Sequence, residues 1–182
     1  MNDGNIFHTF LDTQRMYLRE VRPSDVNERY YCWMNDPEVV RYMESRFYPN
    51  SIESLKKYVE EKVDDNNNVF LAIILKDGDR HIGNIKLGPI NWIHRIADVG
   101  IMIGEKDCWG KGYATEAIMS MTKYAFETLN LHKVTAGCCE PNQSSLNAFK
   151  KAGFFVEGVR KEHVYCGNAY INTIVLGMIR SN

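Results

Sequence analysis

What this sequence lacks is long stretches of any one kind. There is no basic block, and 22 Lys plus Arg stand against 23 Asp plus Glu; that balance argues against nucleic acid as the principal partner. The clearest apolar run, residues 69–75, falls far short of the roughly 20 residues a membrane helix needs. Residues 1–14 hold no charged start followed by an apolar stretch, so the expectation is a cytoplasmic protein without a secretory leader. The five cysteines are odd in number and carry no metal-like spacing. Cys138 and Cys139 are adjacent, so a strand would point them to opposite faces, and they cannot form a chelate. Buried reduced thiols and no metal are therefore expected. Repeats, linkers and low-complexity tracts are missing too, and the 182 residues read as one domain, 1–182, with residues 1–14 loosely held.

Periodicity supplies the elements. Residues 17–21 read as a strand, and Pro23-Ser24-Asp25 marks a helix entry, capped by Ser24 or Asp25 and leading to Trp33. Asn35-Asp36-Pro37 breaks it, a short helix is predicted over 38–43, and Ser51 opens a third whose Ile52, Leu55, Val59 and Val63 form an apolar stripe. Residues 69–75 and 81–87 flank the turn-rich Lys76-Asp77-Gly78-Asp79-Arg80, which predicts a hairpin. Strand 97–103 then connects through a helix to strand 133–139, a parallel right-handed crossover. A last hairpin fits 156–165 and 170–178, turning at Cys166-Gly167-Asn168.

The crossover carries the chemistry. Val99, Gly100, Ile101, Met102, Ile103 and Gly104 meet the loop Trp109-Gly110-Lys111-Gly112-Tyr113-Ala114, after which Ala114, Ile118, Met121, Ala125 and Leu129 recur at helical spacing. The first amides of a helix have no partner inside it, and glycines let the backbone curl until those N–H groups converge on an anion. Lys111 adds a positive charge. A nucleoside-triphosphate P-loop does not fit: five residues rather than four separate Gly104 from Gly110, and Gly112 stands where a hydroxyl should follow the lysine. The dinucleotide fingerprint finds its first two glycines in Gly110 and Gly112 but Thr115 in the third place, and Glu140 lies well beyond the usual spacing of roughly 20 residues for a ribose acid. A plain glycine turn stays open at this point.

A second segment, from Glu140 to Phe154, follows strand 133–139. The WGKGYATEA run beginning at Trp109 resembles the acetyl-coenzyme A pyrophosphate loop of the GNAT N-acetyltransferase superfamily, and Asn142, Ser145, Lys151, Gly153 and Phe154 resemble its next motif. The resemblance covers most of the chain from Val21 onward. The start, LREVRPSDV followed by WMNDPEVVRYM, is similar to the ribosomal-protein-alanine acetyltransferase branch, which also includes amino-sugar and small-molecule acetyltransferases.

The resemblance implies a mixed α/β fold: a central, twisted, mostly antiparallel sheet with one parallel, splayed strand pair and flanking helices. It also implies acetyl-coenzyme A as co-substrate, with no metal. Backbone groups of Ile101, Met102 and Ile103 would pair with the pantetheine arm. The loop from Trp109 through Gly110, Lys111, Gly112, Tyr113 and Ala114 to Thr115 would hold the pyrophosphate, with Asn142, Asn147 and Lys151 completing the coenzyme site. Asn142 equally suits an N-cap. Lys106, Lys111, Lys150 and Lys151 can surround phosphates or simply face solvent.

Acetyl transfer needs a neutral amine. A lysine-like amine with pKa about 10.4 is neutral in roughly one molecule per thousand or fewer at pH 7, a penalty of about 4 to 5 kcal/mol. The resemblance implies Asp98 as proton acceptor, directly or through water, since family members commonly place a catalytic carboxylate at this start of the central strand; a carboxylate pairing with Arg95 or the sheet edge is its alternative. Glu105 is in reserve, and His94 has suitable chemistry. Phe149 departs from the family pattern, in which many members carry a tyrosine that protonates the leaving thiolate. Ser145, a water or Tyr165 is left to supply that proton.

The acceptor is expected between the early helices and the last hairpin, beside Phe47, Tyr48, Trp92, His94, Tyr165 and Tyr170. Trp92, His94 and Tyr165 are the named contacts, with Arg95, Arg160 or Lys161 available to a diphosphate. The reading is N-acetylation of a primary amine, small-molecule or peptide, by a monomer or homodimer. An amino-sugar nucleotide stands ahead of a protein N-terminus, and polyamines come further behind. A non-catalytic acyl-coenzyme A sensor and a dinucleotide-dependent enzyme are the rivals.

Overall fold

The computed structural model describes residues 8–181. Its strands are β1 (Leu11–Asp12), β2 (Met16–Glu20), β3 (Val69–Leu75), β4 (Arg80–Asn91), β5 (Ile96–Ile103), β6 (Lys133–Cys139), β7 (Phe155–Cys166) and β8 (Ala169–Ile179). The helices are α1 (Glu28–Asn35), α2 (Ile52–Val63), α3 (Tyr113–Glu127) and α4 (Gln143–Lys151). One sheet takes all eight strands in the order β1-β2-β3-β4-β5-β6-β8-β7. Neighbours are antiparallel except β5 and β6, which run parallel through the α3 crossover. The expected mixed α/β architecture is the one observed.

Period-two alternation sorts the strand residues onto two faces. Ile118, Met121 and Ala125 of α3 and Leu146 and Phe149 of α4 pack with Leu71, Ile73, Ile85, Val99 and Val134 on one face. Tyr30 and Trp33 of α1 and Leu55 and Val59 of α2 pack with Phe70, Ala72 and Ile74 on the other. β3 thus has a core on both sides, which is why its sequence reads as an unbroken apolar run. Each buried aliphatic or aromatic side chain contributes about 1.5 to 3 kcal/mol.

Four local expectations are corrected. α1 is capped by Asn27, whose Oδ1 accepts the Tyr30 amide at 3.2 Å, rather than by Ser24 or Asp25. Asp25 instead accepts the Arg22 amide at 2.8 Å and the Arg19 guanidinium at 2.8 and 2.7 Å. Residues 38–43 form successive turns and no helix, with a 3-10 turn following at Glu44–Phe47. Asp36 Oδ1 takes the Glu38 amide at 2.9 Å, and the Asn50 amide group donates to the carbonyls of Met34, Ser45 and Tyr48, so local polar contacts fold this segment as a loop. The thiols are all free, yet only Cys108, Cys138 and Cys139 are buried, and Cys32 is exposed. Of the segment expected to be loosely held, residues 1–7 lie outside the described residues, while Leu11–Asp12 pair with β2.

Candidate functional site

β5 and β6 pair at three positions only, Ile96 with Lys133, Ala97 with Val134 and Asp98 with Thr135. Past that rung β5 stays on β4 as far as Ile103 and β6 stays on β8 as far as Cys139, so the two strands part. A cleft of about 870 Å³ opens between them, bordered by Val99 to Ile103 on one wall and Gly137 to Cys139 on the other. A Cβ added at Gly100 would meet nothing within 4 Å, so this wall is open where a side chain would narrow it.

At its far end the cleft meets the glycine loop. Gly112 is the N-cap of α3 at φ 82°, and Gly110 sits at φ 72°, left-handed values that glycine adopts without strain. The amides of Tyr113, Ala114 and Thr115 have no intrahelical acceptor, and no other backbone carbonyl among the described residues takes them. Unsatisfied donors converging on a cavity beside glycines fit a bound pyrophosphate. Gly110, Gly112, Tyr113, Ala114, Thr115 and Trp109 border the cleft, whereas Lys111 does not.

Glu105 and Lys106 anchor this loop. Glu105 accepts the Trp33 indole N–H at 2.9 Å and the Arg80 guanidinium at 2.9 Å, with Arg29 at 3.8 Å. Arg80 also pairs with Asp107. Gly104 packs so closely on Trp33 that a Cβ would fall within the indole ring. Glu105 is therefore tied into the support and does not border the cleft. Lys106 joins Asp36 at 2.8 Å and Glu38 at 2.7 Å, binding the loop to the segment after α1. The Trp109 indole donates to the Ile103 carbonyl at 2.8 Å, which occupies one backbone group expected to face the pantetheine arm.

α4 supplies the opposite wall through Asn142, Ser145, Asn147, Phe149 and Lys151. Asn142 Oδ1 accepts the Ser145 amide at 3.2 Å and caps the helix. Ser145 Oγ lies 3.2 Å from Cys138 Sγ, and burial pushes that thiol up, with the serine pulling it partly back, so the sulfur stays protonated. The buried Phe149 ring meets Phe154 edge-on at 5.2 Å.

Asp98 occupies the last rung before the strands part, and Thr135 Oγ1 donates to its Oδ1 at 2.9 Å. By surface area Asp98 is exposed, yet its carboxylate is partly withdrawn from water by the protein around it. That partial desolvation raises its pKa above the ordinary value, against Thr135, Lys86 and Arg160, which lower it. It makes no ion pair with Arg95. The acceptor residues fare differently. Trp92 and His94 sit in the β4–β5 turn, at the closed end of β5, where Trp92 donates to Asn67 Oδ1 at 3.0 Å. Tyr165 meets Tyr170 edge-on at 5.4 Å near the β7–β8 tip. None of the three borders the cleft.

Arg160, His163 and Val164 do. β7 bulges there: Arg160 pairs with Thr173 and Val164 with Ile171, so three residues oppose Asn172 alone, with Glu162 at φ 48°. Such a bulge re-aims side chains toward a site. The charged run Arg160-Lys161-Glu162-His163 breaks the strand's alternation and is the signal that marks it. Arg41, Tyr42 and Glu44 also border the cleft and went unread, the first two because a helix was expected over 38–43. Among the described residues no His, Cys, Asp and Glu cluster suits a metal, and no helix is long and apolar enough to cross a membrane.

Residues 15–155 match the family model for the acetyltransferase (GNAT) domain. The chain is 30% identical over 140 residues to the spermidine N(1)-acetyltransferase of Escherichia coli, covering 77% of this chain and 73% of that protein. It is 29% identical over 176 residues to the uncharacterised N-acetyltransferase YoaA of Bacillus subtilis, covering 93% and 96%. A solved spermidine N-acetyltransferase from Vibrio cholerae, in complex with CoA and spermine, shares the fold at TM-score 0.83 and 24% identity, over 92% of this chain and 96% of that one. The protein belongs to the GNAT acetyltransferase family and is an N-acetyltransferase.

Proposed function

We propose that this enzyme moves the acetyl group of acetyl-coenzyme A to the primary amine of a small molecule. The observation that carries the reading is the cleft itself, where a three-rung parallel contact opens onto a helix N-terminus with free amides. Gly110, Gly112 and the amides of Tyr113, Ala114 and Thr115 hold the pyrophosphate. Ladder groups of Ile101 that face away from β4 meet the amides of the pantetheine arm, with Met102 bonded to β4 beside it, and the Asn142 Nδ2 group, left over after capping, adds a donor beside Asn147 and Lys151.

The amine nitrogen attacks the thioester carbonyl, the C–S bond breaks, and the proton lost from nitrogen passes to Asp98 directly or through water. Raised above the usual carboxylate value, Asp98 is a better proton acceptor than an unperturbed aspartate. The departing thiolate takes a proton from Ser145, which the Cys138 thiol backs, or from water, since Phe149 has none to give. Of the acceptors the sequence reading favours, an amino-sugar nucleotide is the small molecule, and β7 and the 36–50 loop border the cleft on the side left for it.

Thiol release from acetyl-coenzyme A across an amine library tests the proposal, together with thermal melts. Acetyl-coenzyme A should raise Tm and NAD should not. A melt raised by NAD alone, or the absence of thiol release with every amine, would overturn it.

A further inference from the structure

Five arginines elsewhere in this fold meet carboxylates, Arg15 with Glu116, Arg19 with Asp25, Arg22 with Glu20, and Arg29 and Arg80 with Glu105, while among the described residues Arg95 and Arg180, away from both cavities, do not. Nor do three near the acceptor end. A second cavity of about 640 Å³ adjoins the cleft, lies between the 36–50 loop and the β7–β8 tip, and shares Arg41, Tyr42 and Pro141 with it. Arg41 borders both, Arg46 the smaller and Arg160 the larger. Among the described residues none of the three has a carboxylate within 4 Å. Arg46 donates to the carbonyls of Met43 at 2.6 Å and Tyr165 at 2.7 Å and lies 4.1 Å over the Phe47 ring. Arg41 lies 5.4 Å over the Tyr42 ring, and Arg160 reaches only His163, at 3.5 Å.

Two acids border the same space. Glu38 is neutralised by Lys106 at 2.7 Å, which leaves Glu44, and Asp98 acting on Arg160 through space, against three guanidinium groups. Guanidinium groups in excess over the carboxylates around them attract carboxylate or phosphate and repel a polycation. Asp98, on the last rung of β5 and β6, stands one residue before the cleft lining begins at Val99 and offers a single carboxylate at that end. We infer that the acceptor is a primary amine that also carries an acid group, carboxylate or phosphate, and is not a polyamine. The inference rests on the acetyl-transfer reading above and specifies its acceptor.

The test measures thiol release at fixed acetyl-coenzyme A with five amines: butylamine, 4-aminobutyrate, glucosamine, glucosamine 6-phosphate and spermidine. Each acid-bearing amine should exceed its neutral counterpart in kcat/KM by about tenfold, the worth of one charge-assisted hydrogen bond. Raising KCl from roughly 50 to roughly 500 mM should narrow that gap, because the attraction is screened. Arg160→Gln and Arg46→Gln should narrow it at low salt. The relative success of the carboxylate and phosphate arms separates the two acid groups. Spermidine as the best substrate, or a gap insensitive to both salt and the variants, overturns the inference while leaving acetyl transfer standing. Thiol release with none of the amines removes the acetyl-transfer reading and this one with it.

Discussion

Arg15 and Glu116, 101 residues apart in the chain, clasp the glycine loop between them: the Arg15 amide donates to Glu116 Oε1 at 2.9 Å and its Nε to Oε2 at 2.8 Å. The same guanidinium donates to the Lys111 carbonyl at 2.9 Å and lies 4.4 Å over the Tyr113 ring. Burial acts to raise the Glu116 carboxyl, but the Arg15 amide, Thr13 and the guanidinium outweigh it, and the group lies below the usual range. A fixed negative charge in the first turn of α3 opposes phosphate binding unless it is neutralised, so Arg15 both shapes the loop and cancels that charge.

Arg15→Met should therefore raise KM for acetyl-coenzyme A about tenfold, roughly the value of the charge-assisted bonds removed, and leave kcat nearly unchanged. Arg15→Lys keeps the charge and loses the fork, so it should not restore KM. Glu116→Gln decides the matter by its sign. Weaker coenzyme binding supports the clasp, whereas tighter binding means that Arg15 acts on the phosphates as a free charge.

Asp98 carries a second expectation. Its native pKa is raised, chiefly by desolvation, so the folded protein binds this proton more tightly than the unfolded chain. Its ionised form costs stability: the cost is absent below the unfolded value near about 3.9 and grows as pH rises through the higher native value. Asp98→Asn should lower kcat at neutral pH, recover part of the loss at alkaline pH as more amine becomes neutral, and leave Tm at neutral pH equal or higher. Rates and melts from about pH 5 to about pH 9 check this. A lower Tm with unchanged kcat would make Asp98 structural.

The strand-to-helix switch at Gly110 and Gly112 was legible in the sequence because both elements have strong periods and the glycines stand where φ is positive. Every strand of three or more residues was placed to within a few residues, the exception in length being β4, which runs on to Asn91. The segment from 36 to 50 was misread. Its fold depends on Asn50 bridging three carbonyls and on Lys106 arriving from the other side of the molecule, contacts that carry no period. Arg15 and His163 were missed for related reasons: one acts on a loop 96 residues away, the other faces the cleft only because of a bulge. Trp92 and His94 were drawn to the site by residue type, but position along β5 decides, and they fall at its closed end.

A stability test follows from Arg19 and Asp25, whose side chains are 6% and 12% exposed and join β2 to the turn before α1. Burial acts to raise the Asp25 carboxyl, yet the Arg19 fork and the Arg22 amide outweigh it and hold it low. With the native value below the unfolded one, its stabilisation is complete above about pH 3.9 and is lost as pH falls toward the native value. Asp25→Asn should cost about 3 kcal/mol at neutral pH, because it removes the carboxylate that takes both guanidinium nitrogens of a buried arginine. The difference from wild type should shrink on acidification. A constant difference across the acid range would mean that the ion pair contributes no net stability.

Asn142 caps α4, and the role proposed for it toward the coenzyme can be separated from the cap atom by atom. Its Oδ1 caps α4 through the Ser145 amide, while the side chain borders the cleft, so the Nδ2 donor is free for the pantetheine arm. Asn142→Ala removes both functions. It should lose about 1 kcal/mol of stability, or roughly 2 to 4 °C in Tm, and raise KM for acetyl-coenzyme A. Asn142→Ser keeps a capping oxygen and lacks the amide donor, so Tm should hold while KM rises. Asn142→Asp keeps the cap as well and adds a charge that the coenzyme should oppose, giving the larger KM. Calorimetric binding of coenzyme A at temperatures where each variant is fully folded separates affinity from stability. If Asn142→Ser binds coenzyme A as wild type does, the side chain is a helix cap and the pantetheine arm is held by the strand backbone of β5.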